Sequence, residues 1–208
     1  MASPAEAGSL RGRQILVELL QPFGPAARGW ASRLIKEFGS VAAVLSAGPL
    51  AQARILGPDN PAIRHLGMVR EVMLHVLRTE AFNAPVITNS QVLIDYLLTD
   101  MAHLPAERLR VLFLNSRNRL LCDEVMGEGS INETPIYPRE IMRRSLEVGA
   151  TALILAHNHP SGDPHPSKGD ICATSRIAEA GNALDIKVHD HVILAAGGWT
   201  SFRALGLL

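Results

Sequence analysis

The strongest restriction on what this chain can become is a change of hydrophobic rhythm near residue 80. Before it, apolar residues recur at helical intervals. Ile15, Leu16, Leu19 and Leu20 form one amphipathic stretch, and Trp30, Leu34, Ile35 and Phe38 form a second that Gly39 stops. Ser40 is placed to cap a short third helix, and Pro61, following Asn60, opens a longer one running through Ile63, Leu66, Met68, Val72 and Val76 to about Arg78. After it, helices and strands alternate. Ser90 starts a helix through Leu98, residues 109–114 and 119–126 read as strands around the turn Asn115-Ser116-Arg117-Asn118, and Pro138 opens a helix ending near Gly149. Residues 151–156 are a short buried strand, Ser167 starts another helix, and residues 186–195 return to strand before Gly197-Gly198. Such alternation predicts an α/β (α+β) layered fold with a mixed sheet. The segment Thr79 to Pro85 is the predicted boundary, giving a helical domain over 1–80 and a second domain over 85–208.

Composition narrows the function. With 208 residues, 47% hydrophobic and 19% charged, the chain can bury a core and is no disordered tail. Lys plus Arg equals Asp plus Glu at 20 each, which removes a whole-molecule basic field as a driver of nucleic-acid binding. No apolar run approaches the roughly 18 to 20 residues that cross a bilayer, so no membrane partner is expected. The N-terminus lacks the plan of a secretory signal, and two cysteines, Cys122 and Cys172, cannot form a disulfide framework; a cytoplasmic location and inert, buried thiols are expected.

The chemistry is concentrated in the run LAHNHPSGDPHPSKGDI, residues 155–171. A strand has a side-chain period of two, so His157 and His159 leave the strand end on one face. Two neighbouring imidazoles are half of a zinc site, and a catalytic zinc needs one protein donor more. Asp170 is the best candidate, because Pro160, Gly162, Pro164 and Pro166 turn the chain back and set it in the first turn of the next helix. The competing explanation is that Ser167-x-x-Asp170 simply caps that helix.

The spacing His157-x-His159, seven residues, Ser167, two residues, Asp170 resembles the JAMM (MPN+) metallopeptidase motif throughout. The words HNHPSGDP and PSKGD, the upstream YPREI and the pair Asp190-His191 are similar to those of RadC-family proteins, over about residues 85–208. The resemblance implies a JAB/MPN fold, a mixed sheet flanked by helices and related to cytidine deaminases. It implies one zinc per chain held by His157, His159 and Asp170.

The motif also implies an upstream glutamate on a strand. Glu124 fits, standing just before the Gly129-x-Ile131-Asn132 turn, with Asp123 and Glu128 as competitors. Glu124 is then expected to carry the proton of a zinc-activated water, and Ser167 to donate to the oxyanion, in hydrolysis of a peptide or isopeptide bond. His191 and Asp190 are candidates for orienting a ligand from behind. The alternatives are a DNA-repair or recombination accessory that binds DNA, and a metal-dependent nuclease. The N-terminal helices resemble a helix-hairpin-helix element, but the turn Leu56-Gly57-Pro58-Asp59 has one glycine and a residue without an N–H. A protein contact or homodimer is the expected role there.

Overall fold

The computed structural model describes residues 4–83, 85–86, 90–129 and 137–208, with side chains from Leu10 onward. Among these are eight α-helices and five strands. The chain divides into two compact units, Met1–His75 and Val76–Leu208. The segment Thr79–Pro85 begins within a helix that runs on to Phe82.

The first unit is helical. It comprises α1 (Pro4–Leu20), α2 (Ala27–Phe38), α3 (Val41–Ser46), α4 (Pro49–Leu56) and the start of α5 (Pro61–Phe82). Leu16, Leu20, Leu34, Val44, Leu56 and Leu66 meet in its core. Ser40 caps α3 as predicted, its Oγ accepting from Ala43 N at 3.1 Å. In the turn between α4 and α5, the N–H groups of Gly57 and Asn60 donate to Ala53 O and Gly57 O. Pro58 brings no N–H, and these two donors are already engaged within the turn.

The second unit carries the sheet. Its elements are α6 (Ser90–Met101), β1 (Arg108–Leu114), β2 (Leu120–Glu128), α7 (Pro138–Val148), β3 (Ala152–Asn158), α8 (Lys168–Asn182), β4 (Lys187–Ala195) and β5 (Gly198–Ser201). The strand order is β2-β1-β3-β4-β5, with β3 and β4 parallel and the other neighbours antiparallel. Alternation sends Leu109, Val111, Phe113, Leu153 and Leu155 to one face, where Ile141 and Met142 of α7 and Ile177 of α8 cover them. The opposite face packs on α6, and there Arg110 is bracketed by Asp100 at 2.9 Å and Asp123 at 3.0 Å, with Tyr96 Oη 2.6 Å away. Every residue of β3 is buried, so it is the spine of the unit. β5, a four-residue strand that begins at the second glycine of the predicted Gly197-Gly198 turn, completes the sheet.

Neither cysteine is deeply buried: Cys122 is half-buried and Cys172 exposed, contrary to the expected inert interior thiols. No helix of the described residues is long and apolar enough to cross a membrane.

Candidate metal centre

The site grows out of the end of β3. His157 is the penultimate residue of that strand, 5% exposed, and points to the α8 face; Asn158 points away. The Asn158 amide takes over where the β1 ladder ends, accepting from Arg108 N at 2.9 Å and donating to Ala106 O at 3.0 Å. It thereby clamps both neighbours of Glu107, while Glu107 O accepts from Gly129 N at 3.0 Å. His159 continues the parallel pairing, its N–H donating to Leu194 O at 2.8 Å.

The proline-rich loop then returns, as the sequence predicts. Its position is set by the two-residue hairpin between β4 and β5: Gly197 N donates to Gly162 O at 3.1 Å, and a Cβ at Gly197 would stand only 2.6 Å from that oxygen. Beyond the loop, Ser167 and Asp170 form a full capping box for α8. Ser167 Oγ accepts from Asp170 N at 3.1 Å, and Asp170 Oδ2 accepts from Ser167 N at 2.7 Å.

Capping does not compete with the other role considered for Asp170. The same carboxylate lies 3.4 Å from His157 Nε2 through Oδ1 and 3.4 Å from His159 Nε2 through Oδ2, and the two Nε2 atoms are 2.8 Å apart. Among the described residues, His157, His159 and Asp170 are the group of His, Cys, Asp or Glu able to share one ion.

The electrostatics suit a cation. Burial pushes His157 down to about 4, so it is neutral at ordinary pH. The Asp170 contact raises His159, against its partial burial. Burial acts to raise Asp170, but its contacts with His159, His157 and Ser167 outweigh this and hold it well below the carboxylate range. His159 Nδ1 faces the backbone oxygen of Asp163 at 2.8 Å; a carbonyl only accepts, so Nδ1 carries the proton and Nε2 presents a lone pair. Two imidazole nitrogens 2.8 Å apart beside a carboxylate need a proton or a metal ion between them. Two nitrogens and one oxygen are also a donor set that zinc accepts. The residues therefore fit the metal.

The other expected residues divide. His191 is fully buried on β4 behind His157, its Nε2 at 2.7 Å from His157 Nδ1. Asp190 faces the other side of the sheet, in register with Ile154. It accepts from Ser201 Oγ, Arg203 N and His191 N, and so ties β4 to the end of β5 and the turn after it instead of serving the metal position. Ser167 is exposed at the rim; capping uses a lone pair of its Oγ and leaves the hydroxyl proton to donate.

Glu124, expected as the proton carrier, has other partners. Arg144 of α7 grips its carboxylate, with Nε at 2.9 Å from Oε2, and Cys122 Sγ donates to it at 2.8 Å. The Arg144 bond, aided by Cys122, lowers its pKa despite partial burial, which makes it a poor proton acceptor. It lies on the same face as Leu155 and His157. However, β2 is the edge strand, and Glu124 is level with Val111 and Leu155 rather than with His157. Two strand spacings and two residues separate it from His157, on the order of 12 Å between Cα atoms. Asp123, a competitor, is buried on the α6 face, and Glu128 pairs with Arg108. The Gly129-x-Ile131-Asn132 turn lies, from residue 130, outside the described residues.

Glu107 was not singled out by the sequence. It stands one residue before β1, and continuing the pairing Leu109↔His157 by two residues sets it opposite His159, whose protonated form its charge favours. The available signal was alternation: Glu107, Leu109, Val111 and Phe113 share one face.

A mixed sheet whose inner strand ends in His-x-His, followed by a helix with an aspartate in its first turn, defines the JAB/MPN class. The RadC-like JAB domain family matches residues 87–207. A UPF0758 protein of Rhodobacter capsulatus is 43% identical over 178 residues, covering 86% of this chain and 83% of that one. The chain belongs to the RadC family.

Proposed function

We propose that the chain is a zinc-dependent hydrolase that cleaves amide bonds, of a peptide or an isopeptide, in the cytoplasm. The observation that supports this best is the convergence of His157 Nε2, His159 Nε2 and an Asp170 carboxylate on one point at the open end of β3. A zinc ion there supplies Lewis acidity, lowering the pKa of a bound water to about 7 and polarising a carbonyl. Glu107 is the proton carrier in this reading, in place of Glu124: its carboxylate takes a proton from the attacking water and returns it to the leaving amine nitrogen. The Ser167 hydroxyl donates to the carbonyl oxygen as charge develops on it, a contribution of roughly 100-fold to 1,000-fold for such donors. Asn158 holds the chain on either side of Glu107 and keeps it opposite His159.

The test begins with elemental analysis, with one zinc per chain expected. Peptide, ubiquitin-like isopeptide and oligonucleotide substrates are then offered with and without chelator. Chelator-sensitive amide cleavage is expected, lost in Glu107→Gln with zinc retained, and kept in Glu124→Gln. Cleavage of the oligonucleotide alone favours the nuclease. Salt-sensitive DNA binding that disappears on substituting Arg64, Arg70 and Arg78, with no hydrolysis, favours the DNA accessory.

A further inference from the structure

We propose that Thr174 and His191 form a hydrogen-bond relay that fixes the tautomer of His157, so that its Nε2 lone pair faces the metal position before any ion arrives. The proton count follows from one end of the chain of contacts. Thr174, one turn beyond Asp170 on α8, has its Oγ1 2.6 Å from the backbone oxygen of Asp170. Two oxygens approach so closely only with a proton between them, and the carbonyl has none to give. The single hydroxyl proton is therefore committed there, and Thr174 offers its other neighbour only lone pairs. That neighbour is His191 Nδ1, at 2.6 Å, which must be an N–H.

His191 is wholly enclosed, and its two nitrogens touch a hydroxyl and an imidazole, with no carboxylate of the described residues in hydrogen-bonding contact. An unpaired cation in that position is costly, so the ring is neutral and carries one proton. With Nδ1 protonated, Nε2 is bare and accepts from His157 Nδ1 at 2.7 Å. His157 then holds its own single proton on Nδ1, and Nε2 is left as a donor to the ion. Stacking on Phe202, with centroids 4.7 Å apart and planes 26° apart, keeps the His191 ring from turning over.

The relay closes on itself: it starts at the main-chain oxygen of Asp170 and ends at the histidine whose Nε2 lies beside the Asp170 carboxylate. Thr174 and His191 are thus positioning residues that act through His157. The opposite proton arrangement would place Nε2–H where the ion belongs and obstruct binding.

The inference rests on the metal reading only for its consequence, not for its geometry. The full-length, metal-stripped protein with ¹⁵N-labelled histidine is read by long-range imidazole ¹H–¹⁵N correlation. His157 and His191 are both expected as Nδ1–H tautomers; finding His157 as Nε2–H overturns the relay. In Thr174→Val, which is close to isosteric, His191 loses its fixed acceptor. Zinc affinity, measured by competition with a chelator, is expected to fall about tenfold or more, as for other outer partners of metal ligands. Thr174→Ser should restore tautomer and affinity together. Unchanged tautomer and zinc affinity in Thr174→Val also refute the proposal. If the valine variant does not fold, the wild-type spectrum decides alone. Wild-type protein that shows both Nδ1–H tautomers but takes up no zinc upholds the relay and removes the metal reading.

Discussion

Replacing Gly197 by alanine tests how far a contact outside the donor set controls the metal position. An added Cβ would meet Gly162 O at 2.6 Å, where ordinary contact begins at 3.4 Å, so the hairpin or the loop must give by about 0.8 Å. Both partners of the clash are backbone, and moving them also stretches the 3.1 Å bond from Gly197 N to Gly162 O. Overpacking of this kind costs about 1 to 3 kcal/mol. For a chain of this size that lowers Tm by roughly 2 to 12 °C. Gly162 lies between His159 and Asp163, whose carbonyl holds His159 Nδ1, so displacement passes directly to one donor. Zinc affinity should fall about 10-fold to 100-fold, the usual effect of disturbing what orients a ligand. The comparison is Gly67→Ala in α5, where a Cβ meets nothing within 4 Å; this change should be neutral or stabilise by up to about 1 kcal/mol, with zinc affinity unaltered. Thermal melts in chelator and in zinc, with a competitive zinc titration, measure both quantities. If Gly197→Ala binds zinc within about twofold of wild type, the loop does not depend on the hairpin and the reasoning fails.

Other outcomes follow from the same geometry. Zinc binding should weaken as pH falls, beginning at higher pH than for an ordinary imidazole, because Asp170 favours the proton on His159; His157, held down to about 4, stays neutral. Between about pH 5 and 6.5 one proton should therefore displace each zinc, and a slope of two would disprove the depression of His157. Removing Arg110 takes one charged partner from each of Asp123 and Asp100 in the sheet–α6 interface, Asp123 keeping Tyr96 Oη at 2.9 Å and Arg78 at 3.7 Å, so Arg110→Ala should cost about 1.5 to 3 kcal/mol in denaturant unfolding while zinc affinity per folded molecule is unchanged. Ser167→Ala removes the acceptor for Asp170 N; a loss of about 1 kcal/mol in stability is expected together with slower turnover, and unaltered turnover would confine Ser167 to capping.

The donors were legible because each rests on a local rule. Period two carries His157 and His159 to one face, and a proline-enforced return delivers Asp170 to a helix start. What period two does not contain is strand order. It groups Glu124 with Cys122 and Met126 along β2, but only the pairing β2-β1-β3 reveals that Glu124 shares the face of His157 and that β1 separates them. Glu107 was hidden for the same reason, since its relation to His159 exists only through the register Leu109↔His157. Asp190 stands next to His191 in sequence, and the same alternation that brings one imidazole behind the site turns its neighbour away. β5 was missed because Gly197-Gly198 reads as punctuation, and its four residues are too few to show a rhythm. The unit boundary inside α5 leaves no local mark, because helical periodicity continues across it.

The three donors, the relay behind them and the carbonyl that orients His159 all come from the single stretch between His157 and His191, a strand, its crossover helix and the parallel strand that follows. The candidate ligand set is thus drawn from one contiguous crossover, steadied by the β4–β5 hairpin through Gly197, while β1, β2 and α7 supply none of its members. Under the proposed function, β2 and α7 could therefore change shape and lining without altering the donor set, so that what is recognised and what holds the ion can vary separately.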